Sequence, residues 1–204
     1  MRLKTIMSAI GFSSILSISL SGQAMAQPPA PSTDLINKAV MGELYKYFDT
    51  PVLKISVLAQ NKKHADIDQA MIDSLDKQWR EERKKEDQPL IASTLTNPLS
   101  SYLTQIQAAS LGLYTEIFVM DFKGLNVGQS AISSDYWQGD EAKFQKTYPK
   151  GVGAFFIDEP EYDEDRKIWR VQLNATVSDS KETPIGAITV EFNLTELARR
   201  AEQS

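Results

Sequence analysis

The stretch from Ile168 to Val177 decides the fold, and it reads Ile-Trp-Arg-Val-Gln-Leu-Asn-Ala-Thr-Val. Apolar and polar residues alternate along it with the two-residue period of a β-strand, whose successive side chains point to opposite faces. One face holds the mainly apolar set Trp169, Val171, Leu173, Ala175 and Val177, and the other holds Arg170, Gln172, Asn174 and Thr176. The stretch therefore predicts a strand with one apolar and one polar face.

Four more strands are predicted around it, at residues 115–120, 125–131, 154–157 and 185–192. Asp121–Gly124 is typical of a tight turn, so the first two strands are expected to form a hairpin. Short helices are predicted at residues 140–148, before the third strand, and at 194–200, after the last. Because the strands do not alternate regularly with helices, this order predicts an α+β fold with a five-stranded antiparallel sheet.

Residues 35–96 have the pattern of a helical region. Apolar residues recur there at spacings of three and four, as on one face of an α-helix. Pro51 is placed to begin a second helix, and a third is predicted from Ala65 to about Lys85. Its charged end, residues 80–87, is predicted to be a solvated helix end with ion pairs at helical spacing. A last helix of this series is predicted from Asn97 to Leu111, and the sheet is expected to pack on these helices.

The N-terminus has the three parts of a secretory signal. Two positive residues precede an apolar stretch at residues 6–20, and Ala24-Met25-Ala26 is the small-x-small pattern of a cleavage site. We therefore predict a signal peptide at residues 1–26, with Gln27 as the new N-terminus and the periplasm as the destination. Residues 27–34 contain three prolines and are predicted to be a flexible leader.

Composition excludes several classes of chemistry. The chain has no cysteine, which removes disulfides, thiol catalysis and iron–sulfur clusters. Its one histidine, His64, is predicted to lie at a helix end, so neither a metal site nor a Ser/His/Asp triad is supported. The net charge of −5 argues against nucleic acid as a partner. A glycine-rich phosphate loop is absent from the sequence, and we expect no cofactor, no metal and no catalysis.

Five stretches of the C-terminal half follow the pattern of a known family. They are a helix leading into the strand 116–121, the turn and strand 124–130, the segment 134–145, the strand 171–177 and the closing strand 184–190. The most specific part is Asp135-Tyr136-Trp137-Gln138-Gly139-Asp140-Glu141. On these stretches, residues 97–197 resemble an extracellular Cache domain, the PAS-like sensor module of bacterial receptors.

The resemblance implies a Cache-like sensor domain at residues 97–204, with a five-stranded antiparallel sheet packed on a long N-terminal helix. It also implies a small ligand between the sheet and the loops after the second strand. Typical members carry membrane helices and a cytoplasmic kinase or chemotaxis module, so a membrane receptor or transporter is the implied partner. Amino-acid-binding members have an Arg-x-Trp pattern near the short helix, where this chain has Glu141–Phe144 instead.

The connection Ser133–Lys143 is the main candidate for a ligand site, because aromatic, amide, carboxylate and amine groups lie close together in it. Tyr136 and Trp137 are expected to form a wall or to stack on a ligand cation. Lys143 is expected to hold a carboxylate, while Asp135 and Asp140 accept hydrogen bonds from an amine. The complete candidate set is Asp135, Tyr136, Trp137, Asp140, Lys143, Phe144 and Asp158.

Several of these residues also suit purely structural roles. Tyr136 and Trp137 suit core anchors, and Asp140 suits a cap of the helix that follows it. Asp158 opens an acidic run, residues 158–165, that lacks the spacing of a calcium loop and is predicted to be a solvated hairpin loop. The resemblance allows the start of this run to border the ligand site.

The sequence therefore predicts a sensor module without catalysis. A small polar metabolite is expected to bind between the sheet and residues 133–143, to order that loop, and to shift the N-terminal helices. A membrane receptor or transporter is expected to read the shift. Two rivals remain open: an assembly protein whose residues 35–90 form a dimer or dock a partner, and a hydrolase that uses carboxylates of the acidic run.

Overall fold

The structure is a computed structural model and describes residues 27–203. The predicted signal peptide and its cleavage pattern lie outside these residues. The helices are α1 Lys38–Phe48, α2 Pro51–Lys63, α3 Gln69–Glu82, α4 Pro89–Leu95, α5 Pro98–Ala109, α6 Ala142–Gln145 and α7 Leu194–Ala201. The strands are β1 Tyr114–Met120, β2 Asn126–Gln129, β3 Phe155–Ile157, β4 Glu161–Asp163, β5 Ile168–Ser178 and β6 Pro184–Asn193.

The long N-terminal helices begin at residues that satisfy their free amide groups. Asn37 accepts hydrogen bonds from two backbone amides in the first turn of α1, at 2.9 and 3.2 Å. Asp68 and Asn97 cap α3 and α5 in the same way. Pro51 occupies the first turn of α2, as the sequence predicts. Pro51 and Asn97 lie where the sequence predicts that helices begin, whereas α3 begins at Gln69, four residues after the predicted Ala65, because Asp68 caps it.

Helix α4 is not predicted from the sequence, and a residue of the charged run holds its first turn. The Glu82 carboxylate accepts hydrogen bonds from the backbone N–H groups of Leu90 and Ile91, at 2.8 and 3.0 Å. Glu82 is only 4% exposed. The prediction that residues 80–87 are wholly solvated is therefore wrong at this position, because a buried carboxylate offsets the unpaired amides at the start of α4.

The sheet is antiparallel, with the strand order β2-β1-β6-β5-β3, and β4 pairs with β5 outside that path. The α+β class and the antiparallel sheet are confirmed. The sheet is five strands wide, as predicted, but it contains a sixth strand, β4, inside the acidic run. This strand is three residues long and has no apolar alternation of its own, so pairing with β5 is what creates it.

The two faces of the sheet are covered differently. One face packs on α1, α2 and α5 in the main core, which includes Leu44, Leu53, Val57, Leu99, Leu103, Ile117, Val119, Val171, Leu173, Val190 and Phe192. Phe118 and Met120, the alternate residues of β1, enter a smaller cluster on the opposite face with Phe144 and Ala187. The opposite face is therefore covered by α6 and its flanking loops rather than by long helices.

The predicted flexible leader lies against the end of β5. The Trp169 indole N–H donates a hydrogen bond to the backbone carbonyl of Pro28, at 3.1 Å. A short 3-10 turn, Thr33–Leu35, then leads into α1 and is capped by Ser32. Between residues 27 and 203, none of the helices combines the length and the apolar character needed to cross a bilayer.

Candidate functional site

A cavity of about 250 Å³ lies on the sheet face opposite the long helices. Its lining comes from five places: the start of α6, the connection between β3 and β4, the first residue of β4, and strands β5 and β6. The lining residues are Glu141, Lys143, Asp158, Glu159, Glu161, Arg170, Val171, Gln172 and Glu191. Ligand pockets for drug-sized molecules are about 300–1,000 Å³, so a cavity of this size suits a small metabolite.

Both basic groups of the lining are already paired. The Lys143 ammonium is 3.0 Å from the Glu141 carboxylate. The Arg170 guanidinium is 3.0 Å from the Glu191 carboxylate, and its Nε is 3.4 Å from Asp163 on β4. The lining contains five carboxylates and only these two basic groups, so pairing leaves a surplus of negative charge.

Beside the cavity, a row of polar side chains crosses the centre of the sheet. Gln172 of β5, Glu191 of β6 and Glu116 of β1 are neighbours in the strand register. Glu191 accepts a hydrogen bond from the Thr115 hydroxyl at 2.6 Å, whereas Glu116 Oε1 is buried without a hydrogen-bond partner. Burial, and next to it the charge of Glu191, raise the pKa of Glu116 to about 7. One of the two neighbouring carboxyl groups is therefore poised to hold a proton near neutral pH.

Two of the seven predicted site residues line the cavity: Lys143 and Asp158. Tyr136 does not. Its ring stacks on Trp79 of α3 with a centroid distance of 5.3 Å and is 4% exposed, within a cluster that also contains Ile91. Burial raises the pKa of the Tyr136 hydroxyl. The expectation that Tyr136 forms a ligand wall is wrong, because α3 and α4 cover its ring and make it a core anchor.

Trp137 and Asp140 also lie outside the cavity lining. Trp137 packs against the same cluster as Tyr136, and its indole N–H donates to the Lys123 carbonyl at 2.9 Å. Asp140 is exposed, on the outer side of the loop near Arg80 of α3. Asp140 does not cap α6 either, since the residue before that helix is Glu141 and no side chain bonds its first turn. The expectation that Asp140 caps the helix is therefore wrong, and Asp140 lies outside the lining of this cavity.

Asp135 and Phe144 support the cavity from behind. Asp135 accepts a hydrogen bond from the Gln138 amide at 2.6 Å and does not reach the cavity itself. Phe144 is buried against the sheet and stacks on Tyr148 with a centroid distance of 5.3 Å. Their predicted role as direct ligand contacts is therefore replaced by a supporting one.

Helix α3 holds the outer side of the loop that borders the cavity. Asp76 accepts hydrogen bonds from the backbone N–H groups of Tyr136 and Trp137, at 2.9 and 3.1 Å. The Trp79 indole N–H donates to the Ser133 carbonyl at 3.1 Å, and Arg83 donates to the Ser134 carbonyl at 3.0 Å. The loop is thus fixed on one side by a helix and borders the cavity on the other.

The acidic run is divided between a hairpin and the rim of the cavity. Asp163 accepts from the backbone amides of Asp165 and Arg166 and so closes the turn between β4 and β5. The Arg166 amide, above all, lowers the pKa of Asp163. The carboxylates of Glu159, Glu161 and Glu164 are exposed, as a solvated loop predicts. Within residues 27–203, no group of three or more acidic or histidine side chains is arranged to hold a metal ion.

Sequence reasoning missed Arg170 and Glu191 as lining residues, and Glu116 as the neighbour of Glu191 beside the cavity. Arg170 stood on the polar face of the quoted strand, and the two glutamates stand in otherwise apolar strands. A charged residue inside a strand of that kind is a signal, because burial of a charge requires a partner or a proton. Their meeting depends on the register of three strands, which the sequence does not show.

Similar solved structures are sensory domains. One of them is the ligand-binding domain of the Pseudomonas aeruginosa amino acid chemoreceptor PctC in complex with GABA. The sequence identity is 13%, the match covers 79% of this chain and 63% of that chain, and the TM-score is 0.36. The V. cholerae histidine kinase DctB sensor domain has 13% identity, 79% and 58% coverage, and a TM-score of 0.38. The sensory domain of the Campylobacter jejuni chemoreceptor Tlp3 has 10% identity, 78% and 64% coverage, and a TM-score of 0.37.

These are domains of the kind that the Cache resemblance of residues 97–197 predicts. The chain spans about 60% of the length of the solved domains it matches. At TM-scores below 0.5 the likeness carries no weight in assigning a ligand. No family model matches the chain. No curated protein matches it either.

Proposed function

We propose that this chain is a periplasmic sensor module that binds a small organic cation in the 250 Å³ cavity and has no catalytic activity. The observation that carries the proposal is the charge of the lining. Five carboxylates surround a space whose two basic groups are already neutralised by ion pairs. A ligand with an ammonium group offsets the remaining negative charge of the lining.

An anionic ligand is disfavoured by the same contacts. It would need Lys143 or Arg170 as its partner, and each of these already binds a carboxylate at 3.0 Å. Removing one partner of a partly buried ion pair leaves the other partner uncompensated, which is costly. An α-amino acid combines both charges, so its ammonium group fits the lining but its carboxylate competes for an occupied base. We therefore place amines without a carboxylate first among ligand classes.

Thermal unfolding of the purified chain tests the proposal. The panel contains ethanolamine, choline and 1,4-diaminobutane, with alanine, GABA and succinate as comparison compounds. A bound ligand at about 100 times its Kd adds about 2.7 kcal/mol to the free energy of unfolding. For a chain of this size, that corresponds to a rise in Tm of roughly 5–10 °C. A panel in which no amine raises Tm contradicts cation binding.

A pair of variants locates the binding. Glu161 lines the cavity and Glu164 does not, although both are exposed residues of the same acidic run. Glu161→Gln is expected to weaken amine binding by about fivefold, because an exposed charge pair contributes at most about 1 kcal/mol. Glu164→Gln is the matched control and is expected to leave the affinity unchanged. Equal effects of both substitutions would indicate general attraction to the acidic surface rather than a site.

The cellular part of the proposal concerns location and partner. We propose export through the signal predicted at residues 1–26 and release of a chain that begins at Gln27. Mass spectrometry of the periplasmic fraction tests this, and a chain that retains residues 1–26 would contradict it. We further propose that a membrane receptor or transporter reads the ligand state. Crosslinking in intact cells should give an adduct in the membrane fraction whose yield changes when the amine is added.

A further inference from the structure

We propose that the side chain of Gln138 couples the cavity to α3, so that the state of Lys143 in the cavity changes how firmly α3 holds the loop. This inference deepens the proposed function, on which it rests for the identity of the ligand. It concerns the regulation of the same site. Its structural basis is an unbroken series of polar contacts from the cavity to the outer helix.

The series begins at the cavity. The Lys143 ammonium, which lines the cavity, donates a hydrogen bond to the Gln138 side-chain carbonyl at 3.2 Å. The Gln138 amide nitrogen then donates to the Asp135 carboxylate at 2.6 Å. Asp135 in turn is 3.5 Å from the guanidinium of Arg80 on α3. Arg80 also binds Asp76 at 2.8 Å, the carboxylate that holds the backbone of the loop.

Burial gives Gln138 a fixed orientation. Its side chain is 1% exposed, so solvent cannot replace a lost partner. A primary amide has one accepting and one donating end, and only one orientation directs the oxygen to Lys143 and the nitrogen to Asp135. If Lys143 withdraws, the buried oxygen loses its donor, and a buried acceptor without a partner is unfavourable. The Gln138 amide is then bonded only through its nitrogen, to the carboxylate and the carbonyl of Asp135, so it holds the Asp135 carboxylate against Arg80 less firmly.

An organic cation has a direct way to start this change. Lys143 is held in the cavity by Glu141 at 3.0 Å. A ligand ammonium that binds the Glu141 carboxylate competes with Lys143 for it and repels the like charge. The Lys143 ammonium also lies over the Phe118 ring, with 5.4 Å between the nitrogen and the ring centroid. Ligand binding is thereby linked to the contact between the loop and α3.

Amide hydrogen exchange without any ligand tests the coupling. Lys143→Met removes the hydrogen-bond donor at the cavity end of the series. The substituted residue lies in α6, far along the chain from α3. We expect exchange in peptides covering residues 76–83 to accelerate by about three- to tenfold, the range of measured couplings between distant sites. Lys146→Met is the matched control, because Lys146 lies at the end of the same helix, is exposed, and does not line the cavity. It is expected to leave α3 exchange unchanged.

A second substitution separates coupling from general loosening. Arg80 is exposed, so Arg80→Met is expected to leave the fold intact while it removes the far end of the series. In the Arg80→Met background, Lys143→Met should no longer change α3 exchange. An unchanged effect in that background would overturn the proposal. So would equal acceleration of α3 and of α7, which lies at the opposite end of the chain and makes none of these contacts.

The test also separates this inference from the proposed function. Hydrogen exchange in the variants requires no ligand, so a failure there leaves cation binding untouched. In the unsubstituted chain, 1,4-diaminobutane at saturation should reproduce the acceleration seen with Lys143→Met. Binding of the diamine by thermal shift without any change in α3 exchange would overturn the coupling while supporting the proposed function.

Discussion

Glu116 on β1 and Glu191 on β6 are cross-strand partners on the cavity side of the sheet. Two carboxyl groups at adjacent positions disfavour ionisation of both, and only Glu191 has a basic partner, Arg170. Near neutral pH, burial and the neighbouring Glu191 therefore favour the protonated form of Glu116. This arrangement links the stability of the fold to pH.

We predict that stability falls as pH rises through the pKa of Glu116. The folded-state pKa is about 7, above the ordinary value of 4.5, so the folded chain binds more protons than the unfolded chain between these two values. The contribution of Glu116 is fully present below pH 4.5 and is lost as pH approaches and passes 7. Glu116→Gln mimics the protonated form and should be more stable than the unsubstituted chain at pH 8, by about 2 kcal/mol.

Urea unfolding at pH 5 and pH 8 measures this effect. The gain from Glu116→Gln should be present at pH 8 and small at pH 5. Glu86→Gln is the control, because Glu86 is exposed in the loop after α3. Its effect on the free energy of unfolding should be the same at pH 5 and pH 8. A gain from Glu116→Gln of the same size at pH 5 would contradict a titration of Glu116.

Removal of the Glu82 carboxylate should destabilise the N-terminal region. Glu82→Ala leaves the buried amides of Leu90 and Ile91 without an acceptor, and loss of a charged hydrogen-bond partner costs about 1.5–3 kcal/mol. Glu81→Ala removes the neighbouring, exposed carboxylate and should change stability by less than about 0.5 kcal/mol. Chemical unfolding compares the two variants. Equal stabilities would mean that α4 does not depend on Glu82.

Substitution of Tyr136 should affect stability rather than ligand binding. Tyr136→Leu removes a buried ring stacked on Trp79 and is expected to cost about 2–4 kcal/mol. Amine affinity, measured by calorimetry on the folded chain, should change by less than about threefold, because Tyr136 does not line the cavity. Tyr45→Leu, at an exposed tyrosine of α1, is the control for stability. Normal stability with lost binding would instead place Tyr136 in the ligand wall.

The turn between β1 and β2 should depend on Asp121. One oxygen of this buried carboxylate accepts from the backbone amides of Lys123 and Leu125, at 2.8 and 3.0 Å. The other is 2.7 Å from the His64 ring and 3.0 Å from the Gln60 amide, both on the last turn of α2 or just after it. Asp121→Asn places an amide N–H group where the carboxylate oxygen accepted hydrogen bonds. It should lower the free energy of unfolding by about 2–3 kcal/mol.

The same substitution at Asp66 provides a comparison. Asp66 is exposed, two residues beyond His64, and Asp66→Asn should change the free energy of unfolding by less than about 0.5 kcal/mol. Thermal unfolding monitored by circular dichroism distinguishes the two. If Asp121→Asn is as stable as Asp66→Asn, the carboxylate does not fasten the turn to α2.

Strands, turns and helix ends could be predicted where neighbouring residues alone determine them. The alternation along β5 identified both the strand and its polar face, because a period of two is a property of neighbouring residues. The turn at Asp121 and the helix end at His64 were recognised separately. Their contact at 2.7 Å was not, because the two residues are 57 positions apart and meet only when α2 packs on the hairpin.

The loop after β2 marks the limit of that reasoning. Tyr136 and Trp137 suit a ligand wall and a core anchor equally, and the choice depends on whether a distant helix covers them. Asp76 and Trp79 of α3 supply that cover through backbone and ring contacts. For this reason the cavity is lined by Lys143 rather than by these aromatic residues, and Arg170 and Glu191 join it through strand pairings that no local pattern records.

The alternation of β5 has a consequence for how this protein can evolve. Val171 and Leu173 enter the main core, whereas Arg170 and Gln172, which alternate with them along the strand, line the cavity. Under the proposed function, substitutions at Arg170 and Gln172 would alter ligand recognition while they leave the residues of the main core unchanged. Selection for ligand specificity could therefore act on the cavity residues of β5 while selection for stability acts on its core residues. The two sets are immediate neighbours in the strand.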